Sequence, residues 1–197
     1  MATNATQRLV QQGKSETSVP FDYQPVMSGD LLELRPLSRE DYTLLYAVAS
    51  DPLIWEQHPV KNRYIEELFR AFFLESLASG GALVAIDRDT KRLIGSSRYH
   101  GYDEKMDEVE IGWTFLARSH WGGAYNGEIK RLMLAHAFRF VSTVVFLIDP
   151  KNLRSQRALE KIGGTRNGWR RNGNGELSYL FQISAASLGQ KSEEFEV

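Results

Sequence analysis

Residues 110–140, EIGWTFLARSHWGGAYNGEIKRLMLAHAFRF, decide the reading of this chain. A strand-like run from Glu110 enters a loop holding Gly122, Gly123 and Ala124, and a helix-like run from Asn126 to Phe140 follows at once. The first backbone N–H groups of a helix have no intrahelical acceptor, and the helix dipole adds partial positive charge at that end. Glycines just before it let those donors approach a bound group with no Cβ in the way. Strand, glycine loop and helix in this order therefore form an anion site, and a phosphate-bearing ligand is the first expectation. Tyr125 or Asn126 starts the helix, and Arg118 and His120 can bring charge to the loop. The same glycines would also serve a tight turn that binds nothing, and the loop alone does not separate the two.

Upstream, Leu31 to Arg35 reads as a strand ended by Pro36, and Ser38 with Asp41 resembles a capping box ahead of Tyr42, Leu45, Tyr46 and Val48. Asp51 to His58 is a short helix or turn. A second helix carries Ile65, Leu68, Phe69, Phe72, Phe73 and Leu77 and stops at Gly80-Gly81. Ala82–Ile86 and Leu93–Tyr99 pair as a hairpin, and Glu108–Leu116 is the next strand. Downstream, the apolar run Val144–Ile148 is a buried strand, Asn152–Ile162 a last helix, and Trp169 to Phe181 a hairpin turning at Asn172–Gly175. The class is α+β, or mixed α/β, without the regular alternation of a doubly wound dinucleotide fold. Residues 1–29 read as a flexible N-terminal arm whose aromatics can lie on the body, 30–188 as one domain, and 189–197 as a charged tail.

A formal net charge of -1 argues against broad nucleic-acid binding. With Cys 0 there is no disulfide, thiolate nucleophile or cysteine-held metal, which fits a reducing cytoplasm. No apolar run is long enough to cross a bilayer. The histidines at 58, 100, 120 and 136 have no metal-ligand spacing, so no metal is expected.

Ser119-His120-Trp121-Gly122-Gly123-Ala124 resembles the acyl-CoA pyrophosphate loop of the GCN5-related N-acetyltransferases, whose form is Gln or Arg, two residues, Gly, one residue, then Gly or Ala. Ser119 departs from it at the first position, and Arg118 lies one place early. The string Glu110-Ile111-Gly112-Trp113, Trp121-Gly122, Tyr125 and Glu128 is similar to the branch holding the ribosomal-protein N-terminal acetyltransferases. A second family motif is matched by Asn152, Ser155, Ala158, Glu160, Lys161, Ile162 and Gly163, with Gly164 where Phe is common.

The resemblance implies a mostly antiparallel, splayed central sheet flanked by helices, with acetyl-CoA as co-substrate and a primary amine as acceptor. Attack is direct, and the pantetheine arm lies between Glu108–Leu116 and Val144–Ile148. Glu110 is the candidate base, directly or through water, with Glu108 on the same strand face; either can instead face solvent or hold the incoming ammonium as a counter-charge. Ser155 would protonate the leaving thiolate or merely cap its helix, and Asn152 would pair with the pantetheine amides. Backbone N–H groups near Gly112 and Trp113 would polarise the acetyl carbonyl. Arg157 or Arg154 would meet the 3′-phosphate. The acceptor groove is expected from residues 50–75 and the hairpins near 100–106 and 170–178. A peptide or protein N-terminus is the favoured acceptor, with small-molecule amines or a non-catalytic acyl-CoA-binding module as alternatives. The protein would be a monomer or homodimer.

Overall fold

A computed structural model describes residues 20–187. Eight strands form one sheet: β1 (Met27–Ser28), β2 (Leu32–Pro36), β3 (Ala82–Asp87), β4 (Leu93–Asp103), β5 (Glu108–Leu116), β6 (Thr143–Ile148), β7 (Thr165–Arg171) and β8 (Leu177–Ser184). Their spatial order is β1-β2-β3-β4-β5-β6-β8-β7. Every neighbouring pair is antiparallel except β5 and β6, which run parallel. Parallel strands need a crossover, and α3 (Ala124–Ala137) supplies it. The other helices are α1 (Tyr42–Ala49), α2 (Glu66–Ala78) and α4 (Leu153–Lys161). No described helix is long and apolar enough to cross a membrane.

Strand alternation divides the core into two layers. Leu83 and Ala85 of β3 join Ile129 and Met133 of α3 and Leu159 of α4 on one face. Ala82 and Val84 join Leu45 and Ala49 of α1 and Phe69, Phe72 and Phe73 of α2 on the other. Each fully buried Leu or Phe contributes about 1.5–3 kcal/mol, so both layers hold the sheet firmly. The register of β5 with β6 stops at Glu110↔Val145, although both strands continue. Beyond that point they part, which opens the expected splay.

Local chemistry explains most elements. The Ser38 N–H donates to Asp41 Oδ2 at 2.9 Å, the reciprocal half of the expected capping box. Helix α3 begins at Ala124, two residues before the apolar period suggests, because Gly123 is its extended N-cap.

Several boundaries differ from the sequence reading. Strand β4 runs to Asp103 rather than Tyr99, since Asp103 still pairs with Glu108 beyond a bulge and the Tyr102 N–H reaches the Tyr23 hydroxyl at 2.9 Å. Residues 20–29 of the arm lie against the body through their aromatics. Phe21 is only 6% exposed and packs among Tyr23, Tyr99, Tyr102, His136 and Phe140. Residues 1–19 of the arm and the tail from 188 lie outside the described residues.

One buried carboxylate fixes α3 against the sheet. Glu128 accepts the N–H groups of Asp30, Leu31 and Leu32 at 2.8, 2.8 and 2.9 Å. Hydrogen bonds to a charged group contribute about 1.5–3 kcal/mol, so this clamp outweighs any exposed ion pair. It also requires glycine at 29, where a Cβ would fall 2.5 Å from the Glu128 carboxyl carbon. The helix whose first turn borders the glycine loop is thereby held at its own first turns.

Candidate active site

The loop between β5 and α3 keeps its backbone donors open. A single 3-10 turn over Arg118–His120 leads to Gly122, whose φ of +70° disfavours any residue with a Cβ. No described side chain caps α3. Among the described residues, the N–H groups of Gly122 and Gly123 have no hydrogen-bond acceptor. The loop side chains are meanwhile tied back. Arg118 is ion-paired with Asp51. His120 Nδ1 lies 2.9 Å from Ser119 Oγ, and its ring meets Tyr125 edge-on at 4.6 Å. The Tyr125 hydroxyl donates to Asp87 Oδ2 at 2.5 Å. That bond, with two from Thr90, holds the Asp87 carboxyl well below the usual carboxylate range. Side chains brace the loop here, and its backbone faces outward as the donor set.

In the splay, Lys130 occupies a position that sequence reasoning passed over. Its Nζ donates to Thr114 Oγ1 at 2.7 Å, Thr114 meets Ser97 Oγ at 2.7 Å, and the ammonium lies 5.3 Å from the Phe146 ring centre. No described carboxylate pairs with it, and burial pushes its pKa down to about 7. The only available signal was its two-residue offset from Glu128, and that offset does not reveal a buried amine.

On the far lip, Asn152 is the N-cap of α4: its Oδ1 accepts the Ser155 N–H at 3.1 Å. The capping role considered for Ser155 belongs to Asn152. Ser155 Oγ has no partner among the described residues, and Arg157 is exposed. Arg154 reaches across instead. Its guanidinium stacks 4.1 Å from the Trp121 ring centre and donates to Ile54 O at 3.0 Å. Trp121 Nε1 in turn donates to Leu116 O at 2.9 Å, so the loop, β5 and α4 meet around one indole.

Two carboxylates share a face of β5 and have different fates. Glu108 is held by both guanidinium nitrogens of Arg170, one at 3.2 Å. The Glu110 carboxyl makes no hydrogen bond to any described group. Burial pushes its pKa up to about 7, against the pull of Arg170 and Arg98 and with Glu108 adding to the rise. A carboxyl poised there suits a general base at neutral pH. Gly112 makes room for it, since a Cβ at that position would lie 3.3 Å from Glu110 Oε1. The ladder shifts between Ser96 and Arg98, and opposite that shift Trp113 adopts a φ of +52°. Such bulges concentrate beside active sites because they free backbone groups and redirect side chains.

The structure brings a further group to this face. Arg98 donates to Glu75 Oε1 at 3.0 Å and to Ser76 Oγ at 2.5 Å, and it lies 4.4 Å from the Trp113 ring centre. Arg63 lies 4.3 Å from the Phe72 ring centre and 3.2 Å from His58 Nε2. Neither arginine is marked by any sequence motif.

A model of the acetyltransferase (GNAT) domain family matches residues 32–165. The uncharacterized N-acetyltransferase YoaA of Bacillus subtilis is 25% identical over 151 residues, covering 73% of this chain and 85% of its own. Among solved structures, a GCN5-related N-acetyltransferase from Brucella melitensis superposes with a TM-score of 0.73 at 18% identity, over 89% of this chain and 87% of that one. RimJ of Mycobacterium smegmatis, solved in complex with CoA-disulfide, superposes with a TM-score of 0.60 at 18% identity, over 88% and 90%. These two likenesses concern the fold. With the family model spanning more than half its length, the chain belongs to the GNAT acetyltransferase family.

Proposed function

We propose that this protein transfers the acetyl group of acetyl-CoA to a primary amine by direct attack, without an acyl-enzyme. One observation carries the reading. An uncommitted, desolvated carboxyl at Glu110 stands where β5 and β6 part, on the strand that leads to a loop of open backbone donors. In this reading the Gly122–Asn126 amides receive the diphosphate, as expected of an uncapped helix N-terminus. Asn152 borders the pantetheine arm, and Arg157 faces the 3′-phosphate. Arg118 and His120 contribute once released from Asp51 and Ser119.

The ammonium gives one proton to Glu110, directly or through water, the neutral amine attacks the thioester carbonyl carbon, and the nitrogen of the adduct releases its second proton to water. The carbonyl oxygen gains negative charge, which backbone N–H groups at Gly112 and Trp113 stabilise. The C–S bond then breaks, and the thiolate takes a proton from Ser155 Oγ, which is restored from solvent. Glu110 releases its proton to water. The CoA-disulfide in the RimJ neighbour's complex, together with the loop match, supports acetyl-CoA as the donor. The branch resemblance supports a peptide or protein N-terminus as acceptor, and the absence of cysteine suits a cytoplasmic setting.

Thiol release from acetyl-CoA, followed with a panel of amines, tests the reading. Amine-dependent release that falls in Glu110→Gln is the expected outcome. CoA binding with no turnover on any amine would favour a non-catalytic acyl-CoA module.

A further inference from the structure

On the face of the sheet beneath α1 and α2, Arg63, Arg98 and Arg170 gather around Glu75, Glu108 and Glu110, and the two arginines nearest α2 share the single carboxylate Glu75. Arg98 is 3% exposed, and its Nε is buried with no acceptor among the described residues. Its ion-pair partner, Glu75, is itself largely exposed, so part of that neutralisation is lost to water. Arg63 is less well served. A neutral imidazole has one N–H and one lone pair. His58 Nδ1 accepts the Val60 N–H at 3.0 Å, so Nε2 holds the proton and offers Arg63 no acceptor. Burial and the Arg63 charge keep that ring neutral, with its pKa pushed down to about 4. Both guanidiniums lie against the same Phe72 ring, at 4.3 and 5.7 Å from its centre, where Glu75 attracts both and they repel one another.

The register places this charge relative to the base. Arg98 is the cross-strand partner of Gly112, and His100 is the partner of Glu110. Arg98 and Glu110 are therefore diagonal neighbours on one face, a separation of about 7–8 Å between backbones. Gly112 has no side chain to fill the gap. A simple ammonium brought to Glu110 would meet the repulsion of Arg170 and Arg98, the cations whose charge reaches that carboxyl. A polyamine would meet more of it.

We infer that the acceptor is a zwitterion: a primary amine with a carboxylate or similar oxyanion a few bonds away, whose anion binds Arg63 and Arg98 while its amine faces Glu110. The inference rests on the transfer proposed above and narrows its acceptor. Planar guanidinium forks with unfilled donors match a carboxylate bidentately, and that pairing is strong when desolvated. A free amino acid and a peptide beginning with an acidic residue both present this chemistry.

The test compares common amino acids with their carboxamides, peptides starting with aspartate with the same peptides starting with alanine, and spermidine as the cationic control. The carboxylate-bearing member of a matched pair is expected to show kcat/KM at least about 10-fold higher, the scale of one charge-assisted hydrogen bond. The free amino acids and the peptides form separate arms, so the source of the carboxylate is read from whichever arm responds. Arg63→Gln should erase the preference while leaving the KM for acetyl-CoA unchanged, and Arg63→Lys should keep most of it. Equal use of acid and amide, or preference for spermidine, would overturn the inference. If no amine is turned over, calorimetric titration of the same pairs in the presence of CoA decides separately. Tighter binding of the acids, lost in Arg63→Gln, upholds the anion pocket even as the transfer reading fails. Equal or absent binding sinks it.

Discussion

The two sides of the candidate site are built from different materials. At residues 118–126 the working groups are backbone N–H donors, and the side chains around them are occupied in bracing the loop. Around Glu110 the working groups are side chains gathered from α2, β4, β5, β7 and the loop before α2. A backbone site has nothing to titrate, so its performance should depend on loop geometry and hardly on pH. A side-chain site in low dielectric is set by charge balance, so its performance should depend steeply on pH.

The strongest way to break this contrast is Glu110→Gln. Loss of a positioned base is expected to lower kcat/KM at pH 8 by roughly 10²–10³-fold. In the wild type, kcat/KM should climb as the pH rises through about 7 and the carboxyl ionises, and this limb should vanish in the variant. The stability effect has a definite sign. The folded pKa is raised, so the group favours folding at low pH, and that contribution is lost as pH rises from the ordinary carboxylate range through about 7. Denaturant midpoints at pH 5 and pH 8 should show the variant gaining on the wild type only at the higher value.

Lys130 is the exception on the cofactor side, a lone side-chain charge in the splay. Its folded pKa of about 7 lies below the ordinary lysine value, so the unfolded chain binds more protons between the two. Stability should therefore increase by a few kcal/mol from pH 7 to pH 10 in the wild type. Lys130→Met should flatten that rise, measured by chemical denaturation across the range. A slope unchanged in Lys130→Met would show that the amine reaches water.

A smaller effect is expected from the backbone. Gly122→Ala forces a Cβ into a left-handed conformation at a cost of about 1 kcal/mol. The loop should shift and raise the KM for acetyl-CoA several-fold, while the pH limb assigned to Glu110 stays in place. Steady-state kinetics at several pH values would separate the two. Smallest of all is the exposed Glu66–Arg70 pair at 3.1 Å, one helical turn apart on α2. Glu66→Gln should change stability by no more than about 0.5 kcal/mol in thermal unfolding, which sets the scale for charge outside the site.

The parts read correctly from sequence share one property: their determinants are neighbours in the chain. Ser38 and Asp41 announce a helix start three residues apart, and Gly122-Gly123 announce a strand-to-helix turn. Asn152 and Ser155 were both visible at the start of α4, but which of them caps it depended on where the chain leaves β6. Phe21 was legible as an aromatic able to lay the arm on the body, but its partners Tyr99 and His136 lie far along the chain and no local pattern names them. Glu128 looked like a motif residue, and its partners at Asp30, Leu31 and Leu32 lie almost a hundred positions away.

By itself, the order of residues determined the class of fold, the glycine loop and the carboxylates on β5, because backbone geometry and strand alternation are local consequences of local composition. Only the tertiary structure decided that Glu108 is neutralised and Glu110 is not, that Lys130 enters the splay, and that Arg63 and Arg98 crowd one ring. Charges act through space and through the dielectric around them, and neither quantity is written in the spacing of a sequence.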